Sequence, residues 1–173
     1  MFPVVHPAVA YLLYRGWRRV AGTGPPGEYA TIALVVGALL PDLIDQPLAR
    51  LVDVPSTRVV GHTLLVIVPV CVLVVVAIRH SSLPNAAAGG FAVGYLSHPM
   101  ADALWPALLG QYHELGFLFW PITHSPAYVG AKPLVELGGV TVTTLWVELP
   151  LLALALAIWW RDGRPGLSAV RRR

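Results

Sequence analysis

Apolar residues along the chain gather into five segments, parted by runs rich in glycine, proline and charge. The segments are residues 2–14, 30–45, 59–78, 86–109 and 140–160. A helix that crosses a bilayer needs about 20 mostly apolar residues. The third and fifth segments meet that length. The fourth does so if its His98 and Asp102 are tolerated. The first two are shorter, which suits helices that are tilted, partly immersed or extended by their flanks. The pattern predicts an all-α integral membrane bundle of these five segments.

The connections are 15–29 ("RGWRRVAGTGPPGEY"), 46–58 ("QPLARLVDVPSTR"), 79–85 ("RHSSLPN") and a longer stretch, 110–139. All are rich in helix breakers. There is no internal repeat and no low-complexity tract. The expected organisation is one transmembrane domain over 1–160, followed by a basic, frayed tail over 161–173.

Composition sharpens this picture. Hydrophobic residues make up 56% of the 173 residues and charged residues 12%, with a mean hydropathy of +0.67. Soluble domains carry about 25% charged residues, so the chain reads as a membrane protein. The net charge of +3 does not indicate nucleic acid, because the arginines sit in short clusters between apolar runs. The one cysteine, Cys71, lies inside an apolar run and excludes an intramolecular disulfide or a cysteine metal cluster. At the N-terminus the positive charges follow the apolar part, the reverse of a cleavable signal peptide.

Charge also sets an expected orientation. If all five segments cross, Arg15, Arg18, Arg19, Arg79, Arg161, Arg164, Arg171, Arg172 and Arg173 share one side. Arg50, Arg58 and Lys132 lie on the other. The positive-inside rule then makes the first side cytoplasmic, with the N-terminus outside and the C-terminus inside. With that orientation His6, Asp42, Asp45, His62, His98 and Asp102 all fall in the outer half of their segments.

Ionisable groups in lipid are costly, about 2.5–3.5 kcal/mol for Asp at mid-helix on insertion scales. They are kept when they pair, line a cavity or bind something. Each of these six has a plainer reading alone. His98 and Asp102, spaced i, i+4, share a helix face and could simply bond each other, with Pro99 between them as a possible bend. Asp42 and Asp45, behind Pro41, could mark a helix end reaching water. His6 and His62 could be interfacial. Together they are histidines and aspartates only, brought from four segments. Imidazole with carboxylate suits zinc, manganese, iron or magnesium. Four to six ligands could hold one ion or two, and Asp42 or Asp102 are the candidate bridges of a two-metal site. His113, Glu114 and His124 in the outer loop are candidates for a lid, though solvated loop residues is the simpler reading. Glu148 is an intramembrane acid whose partner the sequence does not name.

The runs "HPAVAYLL", "GALLPDLID", "RVVGHTLL", "GYLSHPMAD" and "FLFWP", in this order, resemble the membrane-bound metal-dependent hydrolase family. That family is also described as LexA-binding, inner-membrane-associated hydrolases, and it is similar to the zinc-dependent phospholipase C group. The resemblance covers roughly 5–125. It implies metal ligands at His6, Asp42 with Asp45, His62, and His98 with Asp102. One departure matters: relatives carry a "HRGxTHS" run where this chain has "TRVVGHT", so Thr57 replaces a histidine while Arg58 is kept.

The function expected from this is a membrane-embedded metal-dependent hydrolase acting on a phosphoester of a lipid or other amphipathic substrate. Its partners would be the bilayer and that substrate, with no nucleic acid. Zinc is the favoured cofactor. Asp45 and Asp102 are the expected acid–base groups, and Arg58 the expected phosphate holder. The alternative is a non-enzymatic membrane protein with a structural metal clamp, or a metal or proton transporter.

Overall fold

The computed structural model describes residues 2–52, 56–126, 136–137 and 140–168. Five α-helices dominate it: α1 (Val5–Val20), α2 (Glu28–Val52), α3 (Leu64–Arg79), α4 (Asn85–Leu108) and α5 (Val142–Arg161). A 3-10 helix spans Tyr112–Phe119, and Glu136–Leu137 pairs antiparallel with Val140–Thr141. The all-helical expectation therefore stands apart from this minimal pairing. Lys132 and Arg171–Arg173, which entered the charge count, lie outside the described residues.

Each helix follows one apolar segment, with ends that differ from the expected ones. α1 runs past the first apolar stretch to Val20, because Arg18 and Arg19 are good helix formers in a last turn. Gly22 and Gly24, both in the left-handed region, then turn the chain. α2 continues through Pro41 and Pro47, so much of the expected 46–58 connection is helical. α3 starts later than expected, at Leu64, where the Thr63 hydroxyl caps the Leu65 N–H. The chain from Ser56 to Thr63 is thus free to wrap over α2.

α2 and α4 form the most extensive interface in the molecule. Small residues allow it. A Cβ on Gly90 would strike the Ala30 carbonyl, and one on Gly94 the Leu34 carbonyl and Ala38 nitrogen. From the other side, a Cβ on Gly37 would strike the Phe91 carbonyl. Gly90 and Gly94 are spaced as G-x-x-x-G, the small-residue spacing that lets membrane helices pack backbone to backbone.

The start of the basic tail is docked rather than frayed. Asp162 accepts bonds from the Tyr11 hydroxyl at 2.9 Å and from Arg15 Nε at 2.7 Å. The Trp159 indole donates to the Pro165 carbonyl, and the Gly166 N–H to Glu28.

Apolar side chains cover much of the exterior, while a set of polar residues is buried beside the apolar core. Val68, Val72, Leu73 and Val76 of α3 point outward, as do Leu149, Leu154 and Leu156 of α5. His6, Asp45, Arg58, His62, His98, Asp102 and Glu148 are buried. An apolar exterior of this extent fits contact with lipid. Among the described residues one helix, α2, is long and apolar enough to cross a membrane, and α3 is apolar but shorter. Five crossings are therefore not established by helix length and hydropathy. α1 and α3 have 16 residues each, short of a full span, and His98 and Asp102 lower the hydropathy of α4.

Candidate metal centre

Four pieces of chain deliver the polar interior. α1 brings His6 in its first turn, and α2 brings Asp42 and Asp45. The loop before α3 brings Arg58 and His62, and α4 brings His98 and Asp102. The structure gathers all seven of these sequence-predicted residues in one place.

The close α2–α4 contact sets the first histidine. Its Nδ1 lies 2.6 Å from the Ala38 carbonyl, which can only accept, so Nδ1 carries the proton. His98 Nε2 is then left with its lone pair. The loop sets the second histidine. Asp45 takes the Val59 and Gly61 N–H groups, each at 2.8 Å, and the His62 Nδ1 at 2.8 Å. Gly61 is required there, since a Cβ would meet the Pro41 backbone at 2.7 Å. Asp45 thereby fixes the His62 ring and its tautomer. The two free nitrogens, His62 Nε2 and His98 Nε2, face each other at 3.1 Å.

Carboxylates surround that pair. Asp42 Oδ1 is 3.8 Å from both nitrogens, and Asp102 Oδ2 is 3.7 Å from His62 Nε2. His6 stacks on His98 with ring centroids 3.7 Å apart, and its Nε2 lies 3.6 Å from Asp102 Oδ1. Arg58 Nε meets Asp102 Oδ2 at 3.0 Å, and its guanidinium carbon lies 5.3 Å from the centre of the Phe117 ring.

Two sets of three could hold a cation: His6 with His98 and Asp102, and Asp42 with His62 and His98. Four donors around an ion at about 2.0 Å in a tetrahedron stand about 3.3 Å from one another. The donor separations here, 3.1 to 3.8 Å, bracket that value. The residues fit a divalent ion. They fit one better than two, because both sets depend on His98, whose single available nitrogen binds one ion at a time. Neither Asp42 nor Asp102, the expected bridges, belongs to both sets. Asp45 belongs to neither, its oxygens being engaged by the loop and by His62. Thr57 is exposed and belongs to neither.

Access is uneven. Asp45 and His98 are 0% exposed, whereas the Asp42 side chain is 20% exposed. Asp42 marks the open side.

Several supporting groups were not legible beforehand. The Ala38 carbonyl carries no sequence signal, since any residue has one. Ser125 donates to the Arg58 carbonyl at 2.8 Å and lies 2.8 Å from the Ser56 hydroxyl, locking the loop from behind. From the 110–139 connection Phe117, not a polar residue, reaches the site. His113 and His124 are exposed, and His124 lines a separate cleft of about 480 Å³ with Ser56 and Trp120. Glu148 accepts the Phe2 N–H at 3.0 Å, just before the helix that carries His6. The Gly90–Gly94 spacing was a readable signal for the α2–α4 contact.

Residues 1–169 match the family described as YdjM inner membrane protein. That match spans nearly the whole chain, and the chain belongs to this family. The description places the family at a membrane and speaks of no reaction. No curated protein and no solved structure matches the chain.

Proposed function

We propose that this member of the YdjM inner membrane protein family is a membrane-embedded, metal-dependent hydrolase acting on a phosphoester of an amphipathic substrate. The observation that carries the reading is the pair of imidazole nitrogens 3.1 Å apart, each with its other nitrogen committed as a donor. Two lone pairs held face to face repel one another. A cation between them removes the repulsion. His62, His98 and Asp42 would hold the ion, with Asp102 and His6 bordering it, and zinc suits this mixture of nitrogen and oxygen donors best.

When bound, such an ion supplies a Lewis acid that makes water a nucleophile near neutral pH. The chain itself supplies the rest. Asp45 keeps the His62 ring from rotating. Arg58, anchored through its backbone by Ser125 and set against Asp102, is placed to hold a phosphoryl oxygen by charge-assisted hydrogen bonds. Asp42, open to the outside of the site, is a proton acceptor for an entering water. Arg58 suits a hydrolase, since a guanidinium beside the ligands is placed to meet an anionic substrate while it orients Asp102. The five-segment crossing, with the N-terminus outside and the C-terminus cytoplasmic, remains part of this proposal. It would open the site toward the outer leaflet, where lipid headgroups lie.

The test is elemental analysis of the purified protein together with lipid phosphoester hydrolysis, on the parent and on His98→Ala and Asp102→Ala. The expected result is about one metal per chain in the parent, with loss of metal and turnover in both variants. Metal-free parent protein under non-chelating conditions would remove the basis of the proposal. Bound metal without turnover on any phosphoester would leave the structural clamp.

A further inference from the structure

A second cavity lies at the opposite end of α1. About 500 Å³ in volume, it is formed where the last turns of α1 and α5 come together. Leu12, Leu154 and Ile158 make its wall, and Arg15, Arg19, Arg161 and Asp162 its polar part. At a rise of 1.5 Å per residue, its α1 residues from Leu12 to Arg19 stand about 9–20 Å along the helix from His6. We propose that this cavity binds the phosphate headgroup of an anionic membrane lipid.

The charge balance carries the argument. Three guanidinium groups share the cavity with one carboxylate, and that carboxylate is already bonded by Arg15 and the Tyr11 hydroxyl. Asp162 thereby holds Arg15 in place without neutralising Arg19 or Arg161, which are exposed. Arg15 and Arg19 are spaced i, i+4 and so share a face of α1. Paired guanidinium groups on neighbouring helices match the oxygens of a phosphate. Two neighbouring arginines have different duties. Arg18 donates to the Thr23 and Gly24 carbonyls, and Arg164 lies over the Trp160 ring at 4.6 Å.

The wall identifies the source of the phosphate. A soluble phosphate has no use for leucine and isoleucine side chains, whereas an acyl chain does. Trp17 and Trp160 are exposed at the same helix ends, the position tryptophan takes at a membrane interface. Basic pockets between membrane helices are suited to anionic headgroups, and the family is a membrane one. This site does not depend on the hydrolase reading.

Native mass spectrometry of the full-length protein in an uncharged detergent tests it. The probes are phosphatidylglycerol, phosphatidylcholine with the same acyl chains, and glycerol phosphate as the chain-free headgroup. Phosphatidylglycerol should bind at least tenfold more tightly than phosphatidylcholine. The preference should fall at least fivefold in the Arg19→Gln/Arg161→Gln double variant and change less than twofold in Arg164→Gln. His98→Ala should retain it, which separates this site from the metal centre. Equal binding of the two lipids by the parent protein overturns the proposal whether or not any variant folds. So does an unchanged preference in the folded double variant. Full competition by glycerol phosphate at the lipid's own concentration would show a free-phosphate site and overturn the lipid assignment.

Discussion

At the residue scale, the division of labour between Asp45 and its neighbours decides what the site can do. Asp45 shapes a ligand without being one of the candidate donors. Groups of this kind typically alter metal affinity by 10–100-fold when replaced. Asp45→Asn should therefore weaken metal binding by about that factor, measured by competition with a chromogenic chelator, and should leave about one ion bound at saturation. Asp42→Asn acts on a candidate donor and on the open side, so it should reduce turnover more than it reduces stability. Protons compete with the ion for His6, His62, His98 and the carboxylates, because ligands must be deprotonated to bind. Metal occupancy should fall as pH is lowered and recover as it is raised, followed by equilibrium dialysis; an occupancy independent of pH would point to other ligands. The histidine and aspartate set was legible in the sequence because such residues are expensive in apolar segments. Their roles were not legible. Which aspartate coordinates and which one braces depends on the Val59 and Gly61 N–H groups, and no residue identity encodes where a backbone N–H points.

At the element scale, the α2–α4 contact is what brings His98 against Ala38. Gly94→Ala should push the two helices apart at that level, since a Cβ there meets the Leu34 carbonyl and Ala38 nitrogen. Overpacking of this kind costs about 1–3 kcal/mol. The expected outcome is a lower Tm in detergent together with weaker metal binding, because the same shift disturbs the Ala38–His98 hydrogen bond. Gly16→Ala is the matched control: nothing lies within 4 Å of a Cβ there, and removing a glycine from a helix interior gains up to about 1 kcal/mol. A fall in Tm at both positions would mean that helix geometry, not the close contact, governs the response. Helix identities were readable from apolar runs, and helix ends were less so. Pro41 and Pro47 look like terminators but sit inside α2. The loop over α2, which carries the chemistry, begins and ends where long-range contacts with Asp45 and Ser125 dictate.

At the scale of the whole molecule, a polar cluster buried beside an apolar core would tie stability to the proposed ion. A ligand that binds only the folded state at 100 times its Kd adds about 2.7 kcal/mol. Chelation should therefore lower the Tm of the parent protein and leave that of His98→Ala unchanged. The proposed orientation is checked by labelling single cysteines in the Cys71→Ala background, at the exposed positions Thr57 and Arg164. Thr57→Cys should react from the outer face and Arg164→Cys from the cytoplasmic face. The reverse pattern would invert the proposed substrate side.

The latch between Asp162 and the pair Tyr11 and Arg15, with Glu148 holding Phe2, joins the last helix to the first. The helix that carries His6 is thus fastened twice, to α4 where the Tyr14 hydroxyl donates to the Ala86 carbonyl and to α5 through Asp162. Loosening α5 would remove one of these two fastenings, so a disturbance far from the centre reaches His6 along its own helix.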